Sequence, residues 1–449
     1  MGGCRCICHH WTVTAPSPPR QARDRCPGLL RPHAAVDGAL VRIRLPGGRV
    51  PAASLAELSA LVAEFGNGTI GLTSRGNLQL RAVPVDAAGE LPVELVDRIV
   101  STGLLPSAEH ELVRNIACSP LTGRVGGLAD LRPLVTELDR LICGNIRLAA
   151  LPGRFLFGLD DGRGDIASTT ADLGVRAVGA DLVRIRAGQF QGDTVPLHRA
   201  AEILVRLAEA FLELRGTGQE ASWHVRELSD GGRSLLSSSP GQGRGADHPG
   251  QGDICGERDT RLGAAAPAPE FGRLTQYDGR MLLSFAVPLG QLDRDQVTAL
   301  AALAGNGSGE LIVTSWRGVL VPDLPSDVRF ALPRLSLDPE SGWRHVTACT
   351  GAPGCAKAAG PTAPVATALA RQLAGTASAV HVVGCERRCG SPAADHLEVL
   401  LSDLPGAPAL SVSRRQPSTV DGEVVATPMA RTDSVASLVG ALAGARAAS

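Results

Sequence analysis

The strongest constraint on this 449-residue chain is an internal repeat of long period. GNG followed by TIGLTSRG (Gly66 to Gly76) returns as GNG followed by SGELIVTSWRG (Gly305 to Gly318), about 240 residues later. In the first copy Val41, Ile43 and Leu45 alternate with Arg42 and Arg44, the period of a half-buried strand. Ser54 and Glu57 have capping-box spacing, and Leu55, Leu58, Leu61, Val62 and Phe65 recur at helical intervals up to Gly66, which is placed to end the helix. TIGLTS and LQLRAV then predict two strands around Arg75-Gly76-Asn77, which gives a β-α-β-β unit. The second copy runs from DGRMLLSFAVP at Asp278 through a helix from near Asp293 to Leu303 and on to ELIVTSWRGVLV. The match extends to RNIACSPLTG (Arg114 to Gly123) against RHVTACTG (Arg344 to Gly351). Solenoid repeats run to roughly 20–50 residues. The longer period here predicts one fused, pseudo-two-fold molecule in which each half is a β-α-β-β piece followed by a larger lobe.

The repeat sets the expected boundaries: a disordered tail over 1–25, a first half-domain over 26–105, a first lobe over 106–228, a second half-domain over 273–335 and a second lobe over 336–449. Residues 229–272 are rich in Gly, Ser, Pro, Arg and Asp, too poor in apolar side chains to offset ordering entropy, and are expected to form a flexible linker. In the tail, Cys4, Cys6, Cys8, His9 and His10 are metal-binding residue types, but in an unstructured context. At the other end Val435, Leu438 and Leu442 predict a docking helix within Ser434 to Ala448. The 44 basic residues nearly balance the 45 acidic ones without a basic stripe, which argues against a nucleic-acid partner. No apolar run approaches the roughly 18 residues of a membrane span, and Met1 to Trp11 lacks an apolar signal core, so the expectation is a cytoplasmic protein with no membrane partner.

Eleven cysteines in a chain read as cytoplasmic are not expected to form a disulfide framework. Four are organised: Cys349-x5-Cys355 and Cys385-x3-Cys389 bring thiols from two loops. Four soft sulfur ligands suit tetrahedral zinc or a cubane iron–sulfur cluster. Zinc loops usually use two to four intervening residues, so the five-residue arm favours the cluster. Gly351, Gly354, Gly384 and Gly390 flank the thiols and let backbone amides approach sulfur.

These residues resemble the nitrite and sulfite reductase superfamily, which holds a 4Fe–4S cluster through Cys-x5-Cys and Cys-x3-Cys. The resemblance spans nearly the whole chain from Cys26. CPGLLRPHAAVDG (Cys26 to Gly38), LTSRGNLQLR (Leu72 to Arg81), LPGRFLFGLDDGRGD (Leu151 to Asp165), ACTGAPGCAKA (Ala348 to Ala358) and VHVVGCERRCG (Val380 to Gly390) are similar to the precorrin-3B synthase branch of aerobic cobalamin synthesis. The resemblance implies an α+β fold of duplicated architecture, with two ferredoxin-like β-α-β-β half-domains and two larger α/β lobes related by pseudo-two-fold symmetry. It also implies a monooxygenase that hydroxylates precorrin-3A with dioxygen and closes a lactone from a ring acetate. An external electron donor fed ultimately by NADH, and a mononuclear non-haem iron beside the 4Fe–4S cluster, go with that reading.

A polycarboxylate substrate needs guanidinium groups, which bind carboxylates bidentately and keep their charge. Arg75 and Arg114 match positions where the superfamily sets Arg against its tetrapyrrole, with Asn77 and Asn115 beside them; Arg81, Arg124 and Arg154 are further candidates in the same loops. His33, His381, His396, Glu386 and Asp395 are candidate iron ligands, and Lys357, the chain's lone lysine, stands next to the Cys355 loop. The DDGRGD run at Asp160 to Asp165 is read as a turn rather than a calcium loop. Sirohaem enzymes of the superfamily carry two lysines one residue apart where this chain has Arg154-Phe155-Leu156, which favours tetrapyrrole as substrate over sirohaem as cofactor. The rival readings are a sirohaem-dependent nitrite or sulfite reductase and a non-catalytic electron-transfer or tetrapyrrole-binding module.

Overall fold

The computed structural model describes residues 24, 26–166, 170–237, 268–373, 379–392, 395–404, 407–417, 424–432, 434 and 436–440. The first half-domain contains β1 (His33–Ala35), β2 (Gly38–Ile43), β3 (Arg49–Pro51), α1 (Ala52–Phe65), β4 (Thr69–Leu72), β5 (Leu78–Val83) and α2 (Val93–Ser101). The first lobe follows with β6 (Ile116–Cys118), α3 (Arg132–Cys143), β7 (Phe157–Asp160), β8 (Leu173–Ala177), β9 (Leu182–Ala187), β10 (Phe190–Pro196), α4 (Ala200–Leu214) and α5 (Arg233–Ser237). The second half repeats the plan with β11 (Gly272–Thr275), β12 (Met281–Ala286), β13 (Gln291–Asp293), α6 (Arg294–Ala304), β14 (Glu310–Val313) and β15 (Gly318–Leu324). Its lobe holds β16 (Val346–Ala348), α7 (Thr362–Gln372), β17 (Val380–Val383), β18 (His396–Leu404), β19 (Ala407–Pro417) and β20 (Val424–Thr432). The architecture is duplicated, pseudo-symmetric α+β.

The two half-domains trade strands. One sheet is ordered β1-β2-β5-β4-β13 and the other β11-β12-β15-β14-β3, so each ends on a three-residue strand supplied by the opposite half. Leu292 of β13 pairs with Ile70, and Val50 of β3 with Leu311, all four being buried. Arg49 reinforces the second exchange with a 2.7 Å hydrogen bond to Glu310. The alternation read at Val41 and Ile43 points those side chains inward, where they join Leu55, Leu58 and Leu80 with Leu283, Leu300, Leu311 and Val321 in one core common to both halves.

The exchange explains where the first helix begins. Because β3 must end at Pro51 to pair with β14, α1 starts at Ala52 rather than at Ser54, and the Ser54 hydroxyl donates to the Thr102 carbonyl instead of capping. Gly66 does end that helix, its N–H donating to the Val62 carbonyl. In the second half Asp293 and Gln296 form a reciprocal capping box, each accepting the other's backbone N–H at 3.0 Å.

The lobes repeat one another as well. Each has three parallel strands (β6-β7-β8; β16-β17-β18) continued by two antiparallel ones (β9, β10; β19, β20). Phe155, Phe157, Phe211 and Leu204 fill the first lobe, and Leu369, Val380, Val399 and Val412 the second. Leu438, in the short helical stretch 436–440, is buried in that second core; Val435 and 441–449 lie outside the described residues. The expected linker is bounded differently from 229–272: Leu235 of α5 is buried in the first lobe and β11 begins at Gly272, whereas 238–267 lie outside the described residues. Tail residues 1–23, with Cys4, Cys6, Cys8, His9 and His10, lie outside them too. No helix among the described residues is long and apolar enough to cross a membrane.

Leu292→Ala removes a buried side chain that belongs to one half and pairs in the sheet of the other, at a cost of about 2–5 kcal/mol. Hydrogen exchange should then show residues 69–72 and 310–313 losing protection together; loss confined to one sheet would contradict a common core.

Candidate functional site

The outward face of the first sheet carries positive charge. Alternation along β2 and β5 turns Arg42, Gln79 and Arg81 away from the core, with Arg44 just past the strand end and Arg75 in the β4–β5 turn. Arg44 is only 2% exposed; it donates from Nε to Asn115 Oδ1 and from Nη1 to the Pro27 carbonyl, while its Nη2 and the Nε of Arg42 are buried without a hydrogen-bond partner. Burial and the like charge of Arg42 pull Arg44 down to about 10, still charged at neutral pH. Burial also lowers Arg42 and Arg75. Carboxylates nearby are already engaged: Asp24 accepts from the N–H groups of Cys26 and Gly153, and Asp172 from those of Leu156 and Val225. Guanidiniums desolvated near carboxylates, Glu111 for Arg44 and Asp172 for Arg75, but without a direct ion pair among the described residues, suit an anionic ligand with several carboxylates. Cys26 lies among them, and its thiol is pushed up by burial and by Asp24, so it is protonated.

The seven polar candidates divide. Arg75 keeps its place on this face, donating from Nη1 to the Arg154 carbonyl at 3.1 Å; Arg154 is exposed, with its guanidinium 5.6 Å from the Trp223 ring centroid. Arg81 donates to both oxygens of Asp37 and, at 2.9 Å, to the carbonyl of Gly354, next to Cys355. The remaining four have partners within the fold. Arg114 grips Asp139 bidentately (2.8 and 2.7 Å) and donates to the Leu104 carbonyl. Arg124 is bidentate on Asp323 and also reaches Glu310, tying the first lobe to the second half-domain. Asn77 Oδ1 accepts from the Leu45 N–H, and Asn115 Nδ2 donates to the carbonyls of Leu112 and Gly153. Sequence reasoning passed over Arg42 and Arg44, although their alternation with apolar residues marked them as one face.

The loop beside Arg81 holds the paired cysteines. Cys349 follows β16 directly; its N–H donates to the Val382 carbonyl, and Gly384 N–H donates to Cys349 Sγ at 3.3 Å. Burial first, and then the neighbouring Cys385, Cys349 and Cys355, raise the Cys389 thiol, with Arg387 acting the other way. A Cβ added at Gly384 would stand 2.6 Å from Ala358 Cβ, so the close approach of amide to sulfur requires glycine. Among the described residues only Asp160, Asp161 and Asp165 bring three Cys, His, Asp or Glu ligand atoms within 4.8 Å of one another, so no three of these sulfurs do.

The expected iron ligands do not converge. His381, buried and held neutral with burial pulling it to about 4, contacts Thr347 Oγ1 through Nδ1 and the Cys389 carbonyl through Nε2. His396 Nε2 contacts Ser391, Glu386 pairs with Arg388, Asp395 with Arg414, and His33 lies exposed on β1. A mononuclear iron held by two histidines and a carboxylate therefore does not fit the described residues. Lys357 is exposed. DDGRGD forms a turn, with Gly162 and Gly164 at positive φ donating to Asp160 Oδ1. A cleft of about 770 Å³ between Asp24, Glu111, Arg215 and Trp223 contains none of the four cysteines.

The nitrite/sulfite reductase ferredoxin-like half-domain matches residues 32–95 and 274–332, the two segments that exchange strands. A precorrin-3B synthase of Sinorhizobium is 26% identical over 86% of this chain and 81% of its own length. A ferredoxin–nitrite reductase of Synechococcus elongatus is 28% identical over 79% of this chain and 74% of its own. The solved structure of Mycobacterium tuberculosis NirA covers 90% of this chain and 79% of NirA with a TM-score of 0.64 at 19% identity, a likeness of fold.

Arg114→Gln should destabilise the chain by about 3 kcal/mol, since it leaves Asp139 without its partner, whereas Arg75→Gln should leave urea midpoints nearly unchanged. Equal loss of stability in the two variants would contradict this division.

Proposed function

We propose that this chain, a member of the nitrite/sulfite reductase ferredoxin-like superfamily, is an oxidoreductase that takes a tetrapyrrole as substrate and converts precorrin-3A to precorrin-3B with dioxygen. The observation that carries the proposal is the desolvated arginine face, with unpaired donors on Arg42 and Arg44, set next to the cysteine loop through the Arg81–Gly354 hydrogen bond.

In this reading Arg42, Arg44, Arg75 and Arg154 grip ring carboxylates and fix which edge of the macrocycle faces the second lobe. Arginine keeps its charge across the working pH range, so the grip does not depend on proton uptake. Arg81, held by Asp37, positions the Cys355 loop against that face. Cys349, Cys355, Cys385 and Cys389 would hold a 4Fe–4S cluster, which supplies electrons singly and so meets the spin restriction on reaction of dioxygen with a closed-shell molecule. One oxygen atom enters the macrocycle and the other leaves as water, with two electrons from an external donor fed by NADH and two protons from solvent. A ring acetate left ionised beside the arginines then closes the lactone.

A second reading, sirohaem-dependent nitrite or sulfite reduction, draws support from the 28% identity to the Synechococcus enzyme and the NirA fold. Against it, the position of the reductases' second lysine is Leu156, which packs in an apolar cluster with Ala117, Ile166 and Ala171 and offers no charge to the site.

Cys385→Ser tests the main reading. The variant should lose visible cluster absorption and the incorporation of labelled dioxygen into precorrin-3A; turnover equal to that of the unmodified chain would refute the assignment.

A further inference from the structure

We propose that Asp160, Asp161 and Asp165 of the first lobe bind one hard divalent cation, at the fold position that the second lobe gives to its cysteines. Ser119 follows β6 as Cys349 follows β16. The Ser119 N–H donates to the Leu159 carbonyl on β7 at 3.0 Å, and the Cys349 N–H to the Val382 carbonyl on β17 at 2.9 Å. Asp161 N–H donates to Ser119 Oγ at 3.1 Å, as Gly384 N–H donates to Cys349 Sγ at 3.3 Å. Hydroxyl and thiol thus occupy one place in the repeated lobe and receive the same backbone donor. The loop that follows carries carboxylates in one lobe and thiols in the other.

Two orphaned atoms point to a ligand. Asp160 and Asp165 are 0% and 1% exposed, and the Oδ2 atom of each is buried without a hydrogen bond. Their other oxygens are used: Asp160 Oδ1 accepts from Gly162 and Gly164, and Asp165 Oδ1 from Ser119 Oγ at 2.5 Å. Arg163 is bidentate on Asp161 and its Nε stands 3.6 Å from Asp165 Oδ2, too long for a hydrogen bond. Arg163 pairs with Asp161, while the Oδ2 atoms of Asp160 and Asp165 stay without a hydrogen bond among the described residues; burial pushes Asp165 up to about 7, so a divalent cation bound there would also displace its proton. With oxygen donors alone and no imidazole or thiol, the set selects magnesium, manganese or calcium over softer metals. The site is separate from the arginine face and does not depend on the proposed reaction.

Manganese(II) serves as the probe, in equilibrium dialysis of the full chain after chelator treatment, with electron paramagnetic resonance reading the bound ion. The expected result is one saturable site per chain, weakened roughly tenfold or more in Asp160→Asn and in Asp165→Asn, and unchanged in Glu386→Gln, an exposed carboxylate elsewhere. Because a variant could misfold, thermal unfolding of the unmodified chain supplies a second readout: manganese should raise its midpoint. Absence of saturable binding by the unmodified chain, or undiminished binding by folded Asp160→Asn, would overturn the site.

Discussion

Two three-residue strand pairings, β3 on β14 and β13 on β4, hold the two halves of this molecule together and set the position of everything else. Neither half can close its sheet alone, so the core from Val41 to Leu324 forms as one unit. The lobes attach across that unit. Leu121 of the first lobe packs on Leu282, Ile312 and Leu320 of the second half's sheet, next to the Arg124–Asp323 pair. The Cys355 loop of the second lobe is held to the first half's sheet by Arg81. Crossed attachment sets the arginine-bearing outer face of the first sheet next to the Cys355 loop of the second lobe. That is why Arg81 and the Cys355 loop become neighbours although they lie more than 270 residues apart in sequence.

The duplication and the α+β plan were legible because they rest on long, similar runs, and α6 was legible because Asp293 and Gln296 cap it locally. The exchanged strands were not. Three residues such as Arg49, Val50 and Pro51 are too few to show alternation, and their partner lies 261 residues away in the case of Arg49 and Glu310. The same distance problem hid the partners of the arginines. Arg114 and Arg124 carry the residue type an anion site needs, but their carboxylates, Asp139 and Asp323, are 25 and 199 positions distant and no local pattern announces them. The cysteines were easier to find, since thiol spacing is itself local; the convergence of their loops is what the fold adds.

Comparison of the lobes shows how one scaffold accommodates two chemistries. A backbone N–H at the start of the loop after the second parallel strand meets the side chain that follows the first, whether that side chain is Ser119 or Cys349. In the two proposals the donor atoms would then set what each pocket accepts, sulfur on one side and carboxylate oxygen on the other. In the proposed function, selection between substrate and cofactor tetrapyrrole would rest on a similarly small difference. Leu156 faces an apolar cluster and leaves Arg154, against Trp223, as the base contributed by its segment.

The proposed chemistry requires that the tetrapyrrole be a substrate of this chain and a thiol-held cluster its resident redox group. The most direct measurement is an optical spectrum of protein purified without oxygen, with iron, acid-labile sulfide and extractable tetrapyrrole determined on the same sample. The account predicts broad cluster absorption, near-equal iron and sulfide, and no sirohaem bands. Stoichiometric sirohaem, or a protein free of sulfide after purification under nitrogen, would contradict it.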